Sequence, residues 1–157
     1  MPRPGRPGVS EPTNRRISLE RSSFPVFYPI NTRWMDNDVY GHVNNVTYYS
    51  YFDSTINRYL IEEGGLDIHK GSVVGFVVSS HCQFRKPVAY PETLEAGLRV
   101  VKTGNSSVTY EVGIFRQGDN EASAVGQVVH VFVDRDTNAA TPIPGNLRSA
   151  MKRISQS

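Results

Sequence analysis

Residues 36–45 bring together side chains that can do chemistry next to the start of a helix. The stretch holds two aspartates, a glycine, a histidine and three asparagines. A carboxylate can orient or deprotonate water, and it can also attack as a nucleophile. The first backbone N–H groups of a helix have no intrahelical acceptor, so they can hold a polarised oxygen. Together the loop and the helix start predict a catalytic site.

Within this loop Asp38 is either a cap or turn aspartate that holds the loop or a catalytic carboxylate. Asn44 and Asn45 are better placed to cap the helix, so capping does not require Asp38. Gly41 either adopts a backbone conformation that a side chain would resist, leaves room for a substrate, or is an ordinary turn glycine. His42 either hydrogen-bonds a substrate or braces the loop.

The spacing of apolar residues predicts the elements that position this loop. Helical spacing over residues 46–63 predicts one long helix, and the Gly64-Gly65 pair stops it. Residues 24–34 contain two prolines and form a predicted edge strand. Beyond the helix, apolar residues alternate with a period of two between glycine- and asparagine-containing turns. This pattern predicts four strands near residues 76–84, 94–100, 108–114 and 124–133. A short basic helix that ends near residue 154 follows them.

This order of elements predicts an α+β domain in which an antiparallel sheet wraps around one long central helix. One face of the sheet covers the helix. The other face keeps apolar side chains, and we expect a second subunit to cover part of it. The apolar residues predicted on that face are Val77, Val129, Val131 and Val133.

Composition separates an N-terminal arm from the rest of the chain. Residues 1–22 carry five arginines against two glutamates and are rich in proline and glycine, so we predict a disordered arm followed by a single domain at residues 23–157. The net charge is +3 for the arm and +2 for the whole chain, so the domain carries −1. This charge disfavours nucleic-acid binding by the folded domain. Cys82 is the only cysteine, which fits a reducing, cytoplasmic location. No apolar run approaches the roughly 20 residues of a membrane span.

Two stretches of the chain carry a family resemblance. Residues 33–49 read Arg-Trp-Met-Asp-Asn-Asp-Val-Tyr-Gly-His-Val-Asn-Asn-Val-Thr-Tyr-Tyr, and residues 82–88 read Cys-Gln-Phe-Arg-Lys-Pro-Val. Taken with the order of elements, they resemble the 4-hydroxybenzoyl-CoA thioesterase-like branch of the hot-dog-fold acyl-CoA thioesterases. The similarity spans residues 24–145.

The resemblance implies that the protein hydrolyses acyl-CoA thioesters. It implies that Asp38 is the catalytic carboxylate and that backbone N–H near Asn45 binds the thioester carbonyl. It also implies dimers or tetramers with the active site between subunits. We expect no metal and no cofactor, since coenzyme A is part of the substrate. Whether Asp38 acts as a base or as a nucleophile is left open by the sequence.

Further candidates for substrate contact lie on the predicted helix and at strand ends. The aromatic candidates for the wall of the acyl pocket are Trp34, Tyr48, Tyr49 and Phe52, and we expect Tyr48 and Tyr49, nearest the helix start, to contact the substrate. Arg85 ends a strand, and Lys102 and Ser106 flank a hairpin turn, where they are candidates for contact with the phosphates of coenzyme A. The other histidines are scattered and show no metal-ligand spacing.

Two other functions stay open at this point. Asp38 and His42 fit the carboxylate–histidine pair of a hot-dog enoyl-CoA hydratase or dehydratase, although their spacing and the asparagines after them resemble the thioesterase pattern better. The third function is a non-catalytic module that binds acyl-CoA or an acylated carrier protein. The acyl group is also open, with aromatic, short branched and medium-chain groups all compatible with the sequence.

Overall fold

Helix α1, Asn45–Gly64, is the central element of the computed structural model, which describes residues 17–155. It begins after Asn44, whose side chain accepts a hydrogen bond from the Val46 N–H. It ends at Gly65, whose φ of 68° lies in the left-handed region that glycine adopts without steric cost. The predicted helix is confirmed to within one residue at each end.

Five strands form one antiparallel sheet in the order β1-β3-β4-β5-β2. Their bounds are Val26–Asn31 for β1, Val73–Phe84 for β2, Thr93–Thr103 for β3, Ser107–Arg116 for β4 and Ala124–Asp134 for β5. A second helix, α2, spans Gly145–Arg153 and packs on α1. The predicted α+β architecture, a sheet around one long helix, is therefore confirmed. Within residues 17–155 no helix has the length and apolarity needed to cross a bilayer.

The helix lies directly against the inner face of the sheet. The ring of Phe52 on α1 packs directly against Gly126 of β5. A Cβ on this glycine would overlap the ring. Ile56 and Leu60 continue the contact and are almost completely buried. Each fully buried side chain of this size stabilises the fold by roughly 1.5–3 kcal/mol, so this layer is the main core.

Strand β2 contains a β-bulge that changes which residues share a face. The register shifts at Val78, so that Val77 lies opposite His130 while Phe76 lies opposite Val131. His130 contacts aromatic rings of the main core, which places Val77 on the helix side of the sheet. The prediction that Val77 shares the outer face with Val131 is therefore wrong. An unbroken period of two cannot foresee an inserted residue.

Residues 17–24, which we call the strap, cover part of the outer face of the sheet. Ile17 and Leu19 pack with Phe24 against Phe115. Residues 17–22, which the sequence assigns to the arm, therefore belong to the packed structure, and the folded region starts before the predicted boundary at residue 23. The prediction of disorder for residues 1–16 lies outside the described residues.

Candidate functional site

Backbone hydrogen bonds close the turn that carries Asp38. The Asp38 N–H donates to the His42 carbonyl at 2.9 Å, and the Gly41 N–H donates to the Asp38 carbonyl at 3.1 Å. The carboxylate itself accepts a hydrogen bond at Oδ1 from the Tyr40 N–H at 2.9 Å. Gly41 has a φ of 83°, which a side chain would strain, and the space beside its Cα is open. The glycine therefore serves the shape of the turn.

Asp36 anchors the same loop from the protein interior. Its side chain is 1% exposed and accepts hydrogen bonds at Oδ2 from the Tyr51 hydroxyl at 2.7 Å and from the Arg33 N–H at 2.9 Å. The Arg33 guanidinium contacts Oδ1 at 3.0 Å. Burial alone would raise the pKa of Asp36, but the bonds from Tyr51 and Arg33 outweigh it and lower that pKa. The Asn44 N–H donates to the Asp36 carbonyl, which ties the helix start to this anchor.

Residues 84–88, at the end of β2, form the facing wall. The Val43 N–H donates to the Val88 carbonyl at 2.8 Å, which joins this wall to the Asp38 turn. The N–H groups of Arg85 and Lys86 both donate to the Ser123 carbonyl, at 2.9 and 3.0 Å. Two neighbouring positions of the wall are thus held by a single carbonyl at the start of β5.

A pocket of about 270 Å³ lies between the Asp38 turn and this wall. Tyr48 is 2% exposed and meets Phe84 edge to face, with 5.0 Å between the ring centroids. Burial raises the pKa of Tyr48 to about 12, so its hydroxyl stays protonated at neutral pH. The residues around the pocket are Asp38, His42, Val43, Asn45, Tyr48, Phe84, Arg85, Lys86 and Pro87. Five of the predicted site residues therefore meet at one place.

The start of α1 opens into this pocket. The Val46 N–H is used by the Asn44 side chain at 3.0 Å, and the Thr47 N–H by the Asn44 carbonyl at 2.9 Å. Among the described residues, the Asn45 N–H makes no hydrogen bond. Because Asn45 lines the pocket, its N–H is available to hold a substrate oxygen.

Three predicted substrate contacts lie away from the pocket. Tyr49 packs against Phe52, with 5.7 Å between ring centroids, and does not line it. Through the strand register, Phe84 at the pocket lies level with Ala96 of β3. Lys102 lies six residues farther along that strand, which is about 20 Å at about 3.3 Å per residue. Ser106 follows at the same far end. Within one chain, neither Lys102 nor Ser106 therefore reaches the pocket. The sequence could not show this, because the spacing of a hairpin does not tell which end of the sheet its turn occupies.

Sequence reasoning missed part of the pocket and misplaced one aromatic residue. Phe84 and Pro87 were not singled out, although both lie in the stretch 82–88 that carries the resemblance. Trp34, an expected acyl contact, is 77% exposed and packs edge to face against Tyr90 instead. Among residues 17–155, no three histidine, cysteine, aspartate or glutamate side chains stand close enough to hold a metal ion. That the activity needs no metal or cofactor stays a prediction.

Known proteins with similar sequence or structure bear on this geometry. The thioesterase-like superfamily matches residues 32–151. The crystal structure of the PA5185 protein from Pseudomonas aeruginosa PAO1 is 54% identical and superposes with a TM-score of 0.87, covering 88% of this chain and 96% of that one. The Bacillus subtilis protein YsmA is 27% identical over 120 residues, 76% of this chain and 80% of that protein.

A more distant structure shows the same fold. Slr0204, a 1,4-dihydroxy-2-naphthoyl-CoA thioesterase from Synechocystis, is 16% identical with a TM-score of 0.73, and the alignment covers 80% of this chain and 94% of that one. Every residue around the Asp38 pocket falls inside the superfamily match. The chain is accordingly a hot-dog-fold member of the thioesterase-like superfamily, and it is a hydrolase that acts on thioesters.

Proposed function

We propose that the Asp38 pocket hydrolyses the thioester of an acyl-CoA to a free acid and coenzyme A. Thioester hydrolysis itself follows from the membership of the superfamily. One observation supports the location: Asp38 and Asn45 line the same pocket, and among the described residues the Asn45 N–H makes no hydrogen bond. A group that activates the attacking oxygen therefore faces a group that stabilises the charge formed by the attack.

Two routes fit this arrangement. As a general base, Asp38 takes a proton from water while the water oxygen bonds to the thioester carbon; the C–S bond then breaks and the thiolate leaves. As a nucleophile, Asp38 bonds to that carbon itself, expels the thiolate and forms an anhydride that water hydrolyses. In both routes charge develops on the carbonyl oxygen, where the Asn45 N–H and the positive end of the α1 dipole stabilise it. A coenzyme A thiolate leaves readily, so neither route requires a strong general acid.

The other pocket residues divide between the two ends of the substrate. Tyr48 and Phe84 offer aromatic surface to the acyl group, and the open rim carries two cations, Arg85 and Lys86, for the anionic part of coenzyme A. His42 braces the Asp38 turn through its carbonyl. Its imidazole lies at the exposed rim, where it can meet substrate.

The direct test is Asp38→Asn. The asparagine side chain keeps an Oδ1 acceptor for the Tyr40 N–H, so the turn keeps its shape while the carboxylate is lost. We expect kcat to fall by about 10²–10⁴-fold, with acyl-CoA affinity from calorimetry nearly unchanged. Thiol release measures the rate over aromatic, short branched and medium-chain acyl-CoAs. An aromatic group belongs in the panel because Slr0204 is named for an aromatic substrate.

Asp67→Asn is the matched control. Asp67 also accepts backbone N–H bonds within its own turn, from His69 and Lys70, but it does not line the Asp38 pocket. This variant should keep wild-type activity. Undiminished thiol release in Asp38→Asn would contradict the mechanism. Water addition to a short enoyl-CoA would favour a hydratase, and binding without thiol release would favour a binding module.

We further propose that two copies pair through β2. This edge strand is 12 residues long and contains no aspartate, glutamate, lysine or arginine, whereas exposed edges normally carry such charges. Its Val77 and Val78 are 47% and 59% exposed. A two-fold pairing would run the strands antiparallel and bring the far end of the second sheet toward the first pocket. Lys102 and Ser106 of a second copy would then approach the substrate. The single half-buried cysteine supports a cytoplasmic location.

A further inference from the structure

The outer face of the sheet contains a buried ion pair beneath the strap. Arg99 on β3 and Glu111 on β4 are both fully buried, and the Arg99 Nε donates to a Glu111 carboxylate oxygen at 2.8 Å. A buried ion pair costs free energy unless its remaining donors also find partners. The superfamily match begins at residue 32, so the strap that covers this pair precedes the matched region.

The strap supplies those partners. Arg99 Nη2 donates to the Ser18 carbonyl at 2.9 Å, and Nη1 donates to the Ser23 hydroxyl. The guanidinium carbon lies 4.0 Å from the centre of the Phe24 ring, which covers it. Arg99 thus binds both ends of the strap, and releasing the strap would lose these two hydrogen bonds and the contact with the Phe24 ring.

The sheet is shaped to receive the strap. Gly97 and Gly113 lie under the Phe24 ring, and a Cβ at either position would come within 2.8 Å of ring atoms. Arg21 lies over the ring of Phe115, with its guanidinium carbon 4.8 Å from the centroid, and pairs with Glu95 at 3.2 Å. The strap therefore has one defined position on the sheet.

Two successive residues connect the strap to the pocket wall. The Leu19 carbonyl accepts a hydrogen bond from the Ala122 N–H at 2.8 Å. The next residue, Ser123, accepts the N–H groups of Arg85 and Lys86. Arg85 also lines a cavity of about 550 Å³ that the strap borders, so its side chain stands between that cavity and the Asp38 pocket.

We propose that the strap is a positioning element for substrate binding. By holding residues 122 and 123 in place, it fixes the backbone of Arg85 and Lys86 and so sets the affinity of the pocket for the anionic part of acyl-CoA. We expect its effect to fall mainly on binding, because the Asp38 turn is closed by its own backbone hydrogen bonds and is joined to the wall through the Val43–Val88 bond, away from residues 85 and 86. This inference rests on the proposed function of the Asp38 pocket.

The test is the double variant Ile17→Ala/Leu19→Ala, which removes strap side chains that pack on the sheet and leaves every pocket residue in place. We expect KM for acyl-CoA and Kd for coenzyme A, measured by calorimetry, to rise by about three- to tenfold, with kcat within about twofold. Hydrogen exchange at the Arg85 and Lys86 amides should also become faster. The matched control is Leu66→Ala/Ile68→Ala, in the loop after α1, which should leave KM, Kd and exchange at these two amides unchanged.

Faster exchange in the strap with unchanged exchange at Arg85 and Lys86 and unchanged Kd would overturn the proposal. Should the double variant not fold, Ser23→Ala carries the same test, since it removes one acceptor of Arg99 and should shift Kd in the same direction. If the wild-type protein releases no thiol, the proposed function fails. The coenzyme A affinity and the exchange data then still decide whether the strap positions the wall.

Discussion

Two aspartates two residues apart have opposite environments, and this difference assigns their roles. Asp36 is buried, and the donors around it lower its pKa, so it serves as a permanent anchor. Asp38 is half-buried and opens into the pocket, where its Oδ1 accepts one backbone N–H. Their spacing alone cannot separate an anchor from a catalyst. The two aspartates differ in their burial and in the number of hydrogen-bond donors around each carboxylate.

His130 gives a stability prediction that depends on pH. It is 3% exposed between Tyr110 and Phe132, and burial lowers its pKa from 6.5 to about 4. Between these values the unfolded chain binds a proton that the folded protein does not. The free energy of unfolding should therefore be highest above pH 6.5 and fall as the pH drops toward 4, by on the order of 3 kcal/mol from this group. Urea unfolding at a series of pH values measures this.

A substitution at His130 isolates its contribution. His130→Gln should flatten the dependence between pH 6.5 and 4, since glutamine does not titrate. An unchanged slope in His130→Gln would show that the acid sensitivity arises elsewhere.

At the scale of elements, the distance between α1 and the sheet depends on one glycine. In Gly126→Ala the new methyl group would overlap atoms of the Phe52 ring, so the helix or the ring has to move. We expect a loss of roughly 1–3 kcal/mol in the free energy of unfolding from urea titration, as is typical of overpacking. Gly145→Ala, where no atom lies within 4 Å of the new Cβ, is the control and should be nearly neutral. Equal stabilities of the two variants would argue against close helix–sheet packing at Gly126.

Periodicity predicted the elements well and their mutual placement poorly. It located α1 to within one residue at each end, because a buried helical stripe and a glycine stop are local signals. It misplaced Val77, since a β-bulge is set by pairing with the neighbouring strand. It also put Lys102 near the substrate, although β3 carries that residue to the far end of the sheet. The strap was assigned to the arm because its partner, Arg99, lies 76 residues beyond Ser23.

The Asp38 pocket of one chain lies at the lower end of the usual size range of small-ligand pockets. Pockets for small ligands usually measure about 300–1,000 Å³, and the Asp38 pocket measures about 270 Å³. The uncharged edge strand β2 ends at this pocket, so a second copy paired along β2 would extend its walls. At the scale of the whole molecule, association and catalysis should therefore depend on the same edge.

A charge placed on β2 tests this dependence. In Val78→Glu, two carboxylates would approach across the two-fold axis, and like charges facing each other destabilise strand pairing. We expect sedimentation to show monomers and kcat/KM to fall by about tenfold or more, because the far end of the second sheet no longer reaches the substrate. Ile68→Glu adds the same charge at a residue that is 49% exposed and lies outside β2, so it should keep wild-type association and activity. A Val78→Glu protein that still sediments as a dimer would exclude β2 as the interface, while a fully active monomer would show that one chain holds the complete site.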